Sequence, residues 1–303
     1  MAVLIDPPRW PAHGTHFSHL VSDHSLDELF EFADGQQVPI RAFDHDHYDV
    51  PERSYQNLVA AGAEPVEPSV LLRRLVASGL RVRPQERTPT SAAVLPGLER
   101  AWAELLPDAP GLGTELLRRW QEPHRHYHDV RHLAHMLAAL ATVTGGRASR
   151  PMLLAAWFHD AVYEGTHGAD EERSARLAEV ALSEAGLAAA EVAEVARLVR
   201  LTTDHRSEPD DSAGIALIDA DLAILGELPG RYHVYSRDVR REYPEVSDGL
   251  FAAGRLKVLH ALSSGQSLYR STVGQGLWTR QAHHNLASEQ QRWLRCLRSE
   301  QVQ

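Results

Sequence analysis

Two textures of hydrophobic and polar positions divide this chain. Over the first 83 residues, short apolar runs alternate with amphipathic stretches. The pattern predicts strands over Ala2–Ile5 and Val38–Phe43, and helices over Ser25–Ala33, Glu52–Ala61 and Ser69–Ser78. Ser25 and Glu28 stand at capping-box spacing, which marks a helix start. A polar, proline-bearing segment around Arg83–Ser91 reads as a linker.

Beyond about Ala92 the periodicity is helical throughout. Val130, Leu133, Leu137 and Leu140 form one stripe, Val192, Val195, Val199 and Thr202 a second, and Ile215, Ile218, Leu222 and Leu225 a third. The run Pro151–Phe158 (PMLLAAWF) is apolar on every side and is expected to be deeply buried. The fold class expected is therefore α+β in two domains. A small α/β domain spans 1–83, a linker 84–93, and an all-α domain 94–303.

Composition narrows the function classes. A net charge of −10 disfavours long nucleic acids and anionic membranes, which require a cationic footprint, but leaves room for a small phosphorylated partner. The one cysteine, Cys296, excludes an internal disulfide framework. The stretch MAVLIDPPRW has no secretory pattern and no apolar run is long enough to span a bilayer, so a cytoplasmic location is expected.

The candidate chemistry lies in the helical part. His159 and Asp160 close the buried run, where an unpaired carboxylate loses several kcal/mol of solvation or takes up a proton. A divalent ion removes that penalty; the plainer reading is a capping or salt-bridged pair at an exposed helix end. His128 and His132 are four apart, which on a helix puts them on one face, one turn apart. A carboxylate from the third stripe completes a mixed nitrogen and oxygen set. Asp219 and Asp221 each lie roughly 80° from the stripe centre on opposite sides, so periodicity leaves both open. Such a set suits Mn, Fe, Co, Ni or Zn rather than Mg, which prefers oxygen. A shared ion requires His132 and Asp160 to lie within about 8 Å of each other.

Three ordered motifs carry a resemblance: YHDVRHL (Tyr127–Leu133), FHDAVY (Phe158–Tyr163) and DADLAILG (Asp219–Gly226). With DEERSA (Asp170–Ala175), LTTDH (Leu201–His205) and VRREY (Val239–Tyr243), they make residues 94–297 resemble the HD-domain superfamily of metal-dependent phosphohydrolases. Asp170 departs from the asparagine expected there. The resemblance implies an all-α HD-type domain, with His132, His159, Asp160 and Asp221 as ligands of a divalent metal ion. A YH-x-x-x-H arrangement similar to that of the cyclic-nucleotide phosphodiesterases implies His128 as a proton donor beside the metal, although His128 and His132 could exchange roles. In some relatives an extra histidine serves a second metal, a role open to His205, which reads equally well as a solvent-facing histidine at a helix C-terminus.

The activity implied is hydrolysis of a small, nucleotide-like phosphoester by metal-activated water, with His128 protonating the leaving oxygen and Asp160 orienting the water. Arg125, Arg131, Arg240 and Arg255 are candidates for the substrate phosphate, Arg240 foremost and Arg125 with it. Glu171 either supports the ligands from behind or is a first-turn helix carboxylate. A metal and nucleotide sensor without turnover is the alternative reading.

In the first 83 residues, LIDPPRWPAHGTHFSHLVSD and FDHDHYDVPE resemble a small bacterial domain family whose function is not established. Asp6, His13, His16, His19, Asp23, Asp44, His45, Asp46, His47 and Asp49 are expected in loops after strands. There they could bind a metal or a phosphate ester; the plainer account is turn-forming Asp residues and solvated histidines. Trp10, Phe17 and Tyr48 are expected in the core.

Overall fold

The computed structural model describes residues 1–166, 168–264 and 267–300 and shows a small N-terminal α/β region followed by a mostly helical one. One unit comprises Met1–Arg87 with Leu228–Val234; the other takes the remaining described residues. The first unit thus reaches Arg87 rather than residue 83. Its last residues are tied back, Val82 N donating to Asp46 at 2.6 Å and the Arg87 guanidinium to Asp44 at 2.7 Å. Leu228–Val234, expected in the helical domain, belongs with the first unit because Gly230 lies against the His45 carbonyl, where a Cβ would stand at 1.9 Å. Helical periodicity carries no sign of such an allegiance.

The first unit contains β1 (Val3–Ile5), β2 (Trp10–Ala12), β3 (Thr15–Ser22), α1 (Leu26–Gly35), β4 (Phe43–Asp44), β5 (His47–Pro51), α2 (Glu52–Ala60), β6 (Glu64–Pro65) and α3 (Pro68–Ala77). The sheet order is β4-β5-β3-β1-β6, with β2 also on β3; only β1 and β6 run parallel. Ser25 caps α1 by accepting from Glu28 N at 3.1 Å. The expected strand over 38–43 is mostly a 3-10 turn, Ile40–Ala42, entered from Pro39, which has no N–H for a ladder. The longest strand, β3, was not expected. Its buried Ser18 and Ser22 break the apolar alternation that would have revealed it. Of the expected aromatic core, Tyr48 is buried, whereas Trp10 is 48% exposed.

The helical unit is built from α4 (Ser91–Leu105), α5 (Pro110–Arg119), α6 (Val130–Thr144), α7 (Arg150–Phe158), α8 (Ala169–Glu184), α9 (Ala189–Leu201), α10 (Ser212–Asp221), most of α11 (Pro229–Arg241), α12 (Asp248–Ser264) and α13 (Thr272–Glu300). Its core gathers Trp102, Trp120, Trp157, Phe158, Leu133 and Leu198. Trp102 meets Trp157 edge-on at 5.0 Å, packing that requires glycine at 113, where a Cβ would fall 2.1 Å from the Trp102 ring. The run ahead of His159 is buried as its composition demands, Leu154 to Phe158 without a break. Two stripes are turned slightly from expectation. Leu137, Ile215 and Leu222 are half-buried, and Met136, Ala216 and Leu217 occupy the core instead. Among the described residues, no helix is long and apolar enough to cross a membrane.

Candidate functional site

Three helices deliver the central side chains. His132 stands on the first turn of α6, whose N-cap Asp129 accepts from Arg131 N at 2.8 Å. His159 caps the C-terminus of α7 with Asp160 next to it, and Asp221 ends α10. Nε2 of His132 and Nε2 of His159 are 3.1 Å apart. Asp221 Oδ1 lies 3.2 Å from His132 Nε2 and 3.7 Å from His159 Nε2. Asp160 Oδ2 lies 3.2 Å from His159 Nε2 and 3.9 Å from His132 Nε2. Both imidazoles are fully buried against the Trp120 ring, whose N–H donates to the Trp157 carbonyl.

Tautomers sharpen this arrangement. His159 Nδ1 faces the Ala156 carbonyl at 2.8 Å, and a carbonyl only accepts, so Nδ1 carries the hydrogen and neutral His159 aims a lone pair from Nε2. His132 Nδ1 pairs with the Tyr127 hydroxyl at 3.0 Å, leaving its Nε2 for the same point. Two imidazole nitrogens and two carboxylates therefore converge. Without a cation, burial disfavours a charge on His159, but Asp160 and Asp221 outweigh it and hold its pKa up at about 9. Burial prevails at His132 and lowers it. Both carboxylates stay well below the usual range despite their burial, Asp160 through His159 and Asp221 through its bond with His132.

The two acidic candidates of α10 separate cleanly. Asp219 is fully buried and accepts from the amides of Arg270 and Ser271 at 2.9 and 2.8 Å, just ahead of α13. Asp221 turns the other way, to the imidazoles. Its second oxygen meets His205 Nε2 at 3.0 Å, so His205 joins the rim through Asp221. His205 has a φ of +54°, a left-handed conformation that lets the chain leave α9 toward the site.

His128 does not share a helical face with His132, contrary to the spacing. It precedes the extended N-cap Asp129, and its ring stands 5.8 Å from that of His132 at 77°. What positions it is Glu242, a residue that sequence reasoning passed over in favour of Arg240 in the same VRREY segment. Glu242 Oε1 accepts from the amides of His126, Tyr127 and His128 at 2.8, 2.7 and 2.9 Å. Oε2 takes His128 Nδ1 at 2.7 Å and the Tyr163 hydroxyl at 2.9 Å. Burial opposes charge on both partners. Their attraction wins, raising His128 and drawing Glu242 down to about 2. The signal available was a carboxylate inside a motif next to aromatic residues.

The arginines expected at the phosphate are engaged by other groups of the protein. The Arg125 side chain is buried and donates to the carbonyls of His128, Asp160 and Ala161 at 3.1, 2.7 and 3.3 Å, so it fastens the loops that carry the site. Arg240 is spent on Asp248 and on the carbonyls of Tyr243 and Val246, with its guanidinium over Phe251. Arg131 pairs with Asp129 and Asp238. A cavity of about 380 Å³ opens over His128, Asp160, His205 and Asp221, and Arg255 lines it while bound to Glu289. Glu171 lines the same cavity and accepts from Gly168 N at the start of α8. Asp170 accepts from Glu164 N and Thr166 N, a role that needs only acceptor oxygens.

In the first unit, His19, His47 and Asp49 come together, on strands rather than in loops. His16, Asp23 and His45 instead pair with Glu52, Arg74 and Asp44. No curated protein and no solved structure matches the chain. Residues 3–78, from β1 through α3 and short of half the chain, match the family described as Protein of unknown function (DUF4031).

Proposed function

We propose that the helical unit is a metal-dependent phosphohydrolase of the HD-domain superfamily, acting on small phosphorylated, nucleotide-like compounds. One observation carries the reading: the Nε2 atoms of His132 and His159 approach to 3.1 Å with carboxylates of Asp160 and Asp221 on the same point. Without a cation a proton on His159 Nε2 bridges the two rings, and a divalent ion on the same point would take that proton's place. Ligand atoms about 2.1 Å from one ion stand roughly 3.0–3.4 Å apart, close to the shorter separations here. His132, His159, Asp160 and Asp221 would hold the ion, and their nitrogen content favours Mn, Fe, Co, Ni or Zn over Mg. A bound cation of this kind activates water and withdraws charge from a phosphoryl oxygen.

The remaining chemistry belongs to the chain. Glu242 keeps His128 protonated with Nδ1 engaged, so the ring's other nitrogen is left for the cavity that His128 lines. That nitrogen gives its proton to the leaving oxygen as the ester bond breaks. Asp160 accepts a hydrogen from the attacking water and fixes its direction. Tyr127 orients the His132 ring through Nδ1, and Arg125 pins the Asp160 backbone. His205 supports Asp221 from the rim.

Metal analysis of the purified chain, followed by a phosphoester screen with Mn and Co, tests the reading. Asp160→Asn should remove tightly held metal and turnover together. Turnover that survives the change would overturn it. Metal and nucleotide bound without hydrolysis would favour a sensor.

A further inference from the structure

The first unit carries a cluster that the helical site does not use. β3 and β5 run antiparallel with His19 opposite Asp49. His47 is two residues before Asp49, and side chains alternate along a strand, so all three project from one face of the sheet. Register alone thus assembles two imidazoles and a carboxylate, whose ligand atoms lie within 4.8 Å of one another.

Each imidazole is oriented from behind by a buried carboxylate. His19 Nδ1 stands 2.9 Å from Asp6 Oδ2, and His47 Nδ1 2.6 Å from Asp46 Oδ1. Asp6 and Asp46 are 1% and 0% exposed. Asp6 also accepts from the His19 amide and the Trp10 indole, and Asp46 from the Val82 amide and Arg81. Surrounded by donors, both act as ionised acceptors, so both Nδ1 atoms carry hydrogen. A divalent ion would then meet both rings at Nε2. A carboxylate behind a histidine that presents its other nitrogen is the arrangement that fixes metal-binding histidines.

The competing account is an ion pair with Asp49. Its Oδ1 is 3.6 Å from His47 Nε2 and 3.8 Å from His19 Nε2, and although burial opposes a charge on His47, Asp46 and Asp49 hold its pKa up at about 9, so a cation here would take the place of the Nε2 proton. Two ligands about 2.1 Å from one ion stand roughly 3.4–3.7 Å apart at bond angles of about 110–125°, which these separations nearly meet. His19 and His47 border a cavity of about 420 Å³ that Trp10, Arg81 and Arg87 also line. Arg81 and Arg87 line it while paired with Asp46 and Asp44 at 3.0 and 2.7 Å, and Arg87 Nε is buried with no hydrogen-bond partner among the described residues. Three protein ligands leave coordination positions open, and two guanidinium groups beside them suit an oxyanion.

We propose that His19, His47 and Asp49 form a divalent transition-metal site whose open positions take an oxyanion, a phosphate or carboxylate group, steered by Arg81 and Arg87. This site is independent of the helical one and stands or falls separately.

The test uses the full chain carrying His159→Ala, which silences the helical centre. Titration with Co(II), followed by its visible absorption and by metal analysis, should give about one ion per chain, with intensity in the range of low-coordinate cobalt. Adding Asp49→Asn or His19→Gln should abolish tight binding while far-UV circular dichroism stays unchanged; Asp49 is half-exposed, so its amide is easily accommodated. Asp6→Asn should retain the stoichiometry but weaken affinity about 10–100-fold, since Asp6 orients without touching metal. Inorganic phosphate should shift the cobalt spectrum, and Arg87→Gln should weaken that shift. No cobalt in the His159→Ala chain, or equal cobalt with and without the Asp49 change, overturns the site. A spectrum indifferent to phosphate and to acetate overturns the oxyanion.

Discussion

Glu242 meets His128 at 2.7 Å across 114 residues of sequence, and its other oxygen holds three consecutive amides of the loop bearing that histidine. A carboxylate this deeply buried would ordinarily lose its charge. The His128 imidazolium and the amides keep it, with its pKa down at about 2. One side chain thereby sets where His128 stands and which protonation state it holds.

Under the proposed phosphohydrolase reading, Glu242→Gln should lower kcat on an alkyl phosphoester by about 100-fold with little change in KM, the scale of a lost general acid. An aryl ester, whose leaving group needs less protonation, should suffer less. The alkaline limb of the kcat profile should move to lower pH, because His128 loses the partner that raises it. Equal losses on both esters with an unmoved limb would reduce Glu242 to a fold element.

Asp219 and Asp221 sit two residues apart yet make different connections. Asp221→Asn should lose the metal measured on the purified chain and leave the melting temperature of the chelated protein nearly unchanged. Asp219→Asn should keep the metal and cost roughly 1–2 kcal/mol of stability, since it weakens a cap on the amides of Arg270 and Ser271. The reverse pattern would exchange their roles.

These contrasts show what a sequence can carry. The buried run before His159 and the helix-rich texture after Ala92 are legible because each residue's partner lies within a few positions. The convergence of His132, His159, Asp160 and Asp221 was anticipated only through motif resemblance, since periodicity left Asp219 open. Glu242 was illegible because its partners are 79–116 residues away. Strand β3 was hidden by buried serines, and with it the register that faces His19 to Asp49. The partners of the arginines were illegible as well. Phosphate and backbone carbonyls attract the same guanidinium, and only burial tells them apart.

The charge relation at Glu242 also has a stability signature. Its folded pKa is lowered from 4.5 to about 2, so its contribution is present above about pH 4.5 and lost as pH falls through 2. His128 shifts the other way, so its contribution is full below about 6.5 and lost as pH rises through its folded value. The pair is thus strongest between about pH 4.5 and 6.5. Urea midpoints of the chelated wild type and Glu242→Gln should differ most in that window and draw together toward pH 2. A difference that stays constant with pH would mean the two groups are not charged together.

Arg125 and Arg240 give the sharpest separation of scaffold from substrate contact. Arg125 is buried and binds the carbonyls of both His128 and Asp160, so Arg125→Met leaves those carbonyls without their donor. The expected loss is about 3 kcal/mol in stability, with weaker metal retention and a fall in kcat rather than a selective rise in KM. Arg240→Ala should cost about 1 kcal/mol through its lost bonds to Asp248, Tyr243 and Val246, while KM stays within about twofold. A phosphate contact obeys the opposite rule, because removing it raises KM and spares the fold. Melting curves and KM values for the two variants, taken side by side, decide the matter for each arginine.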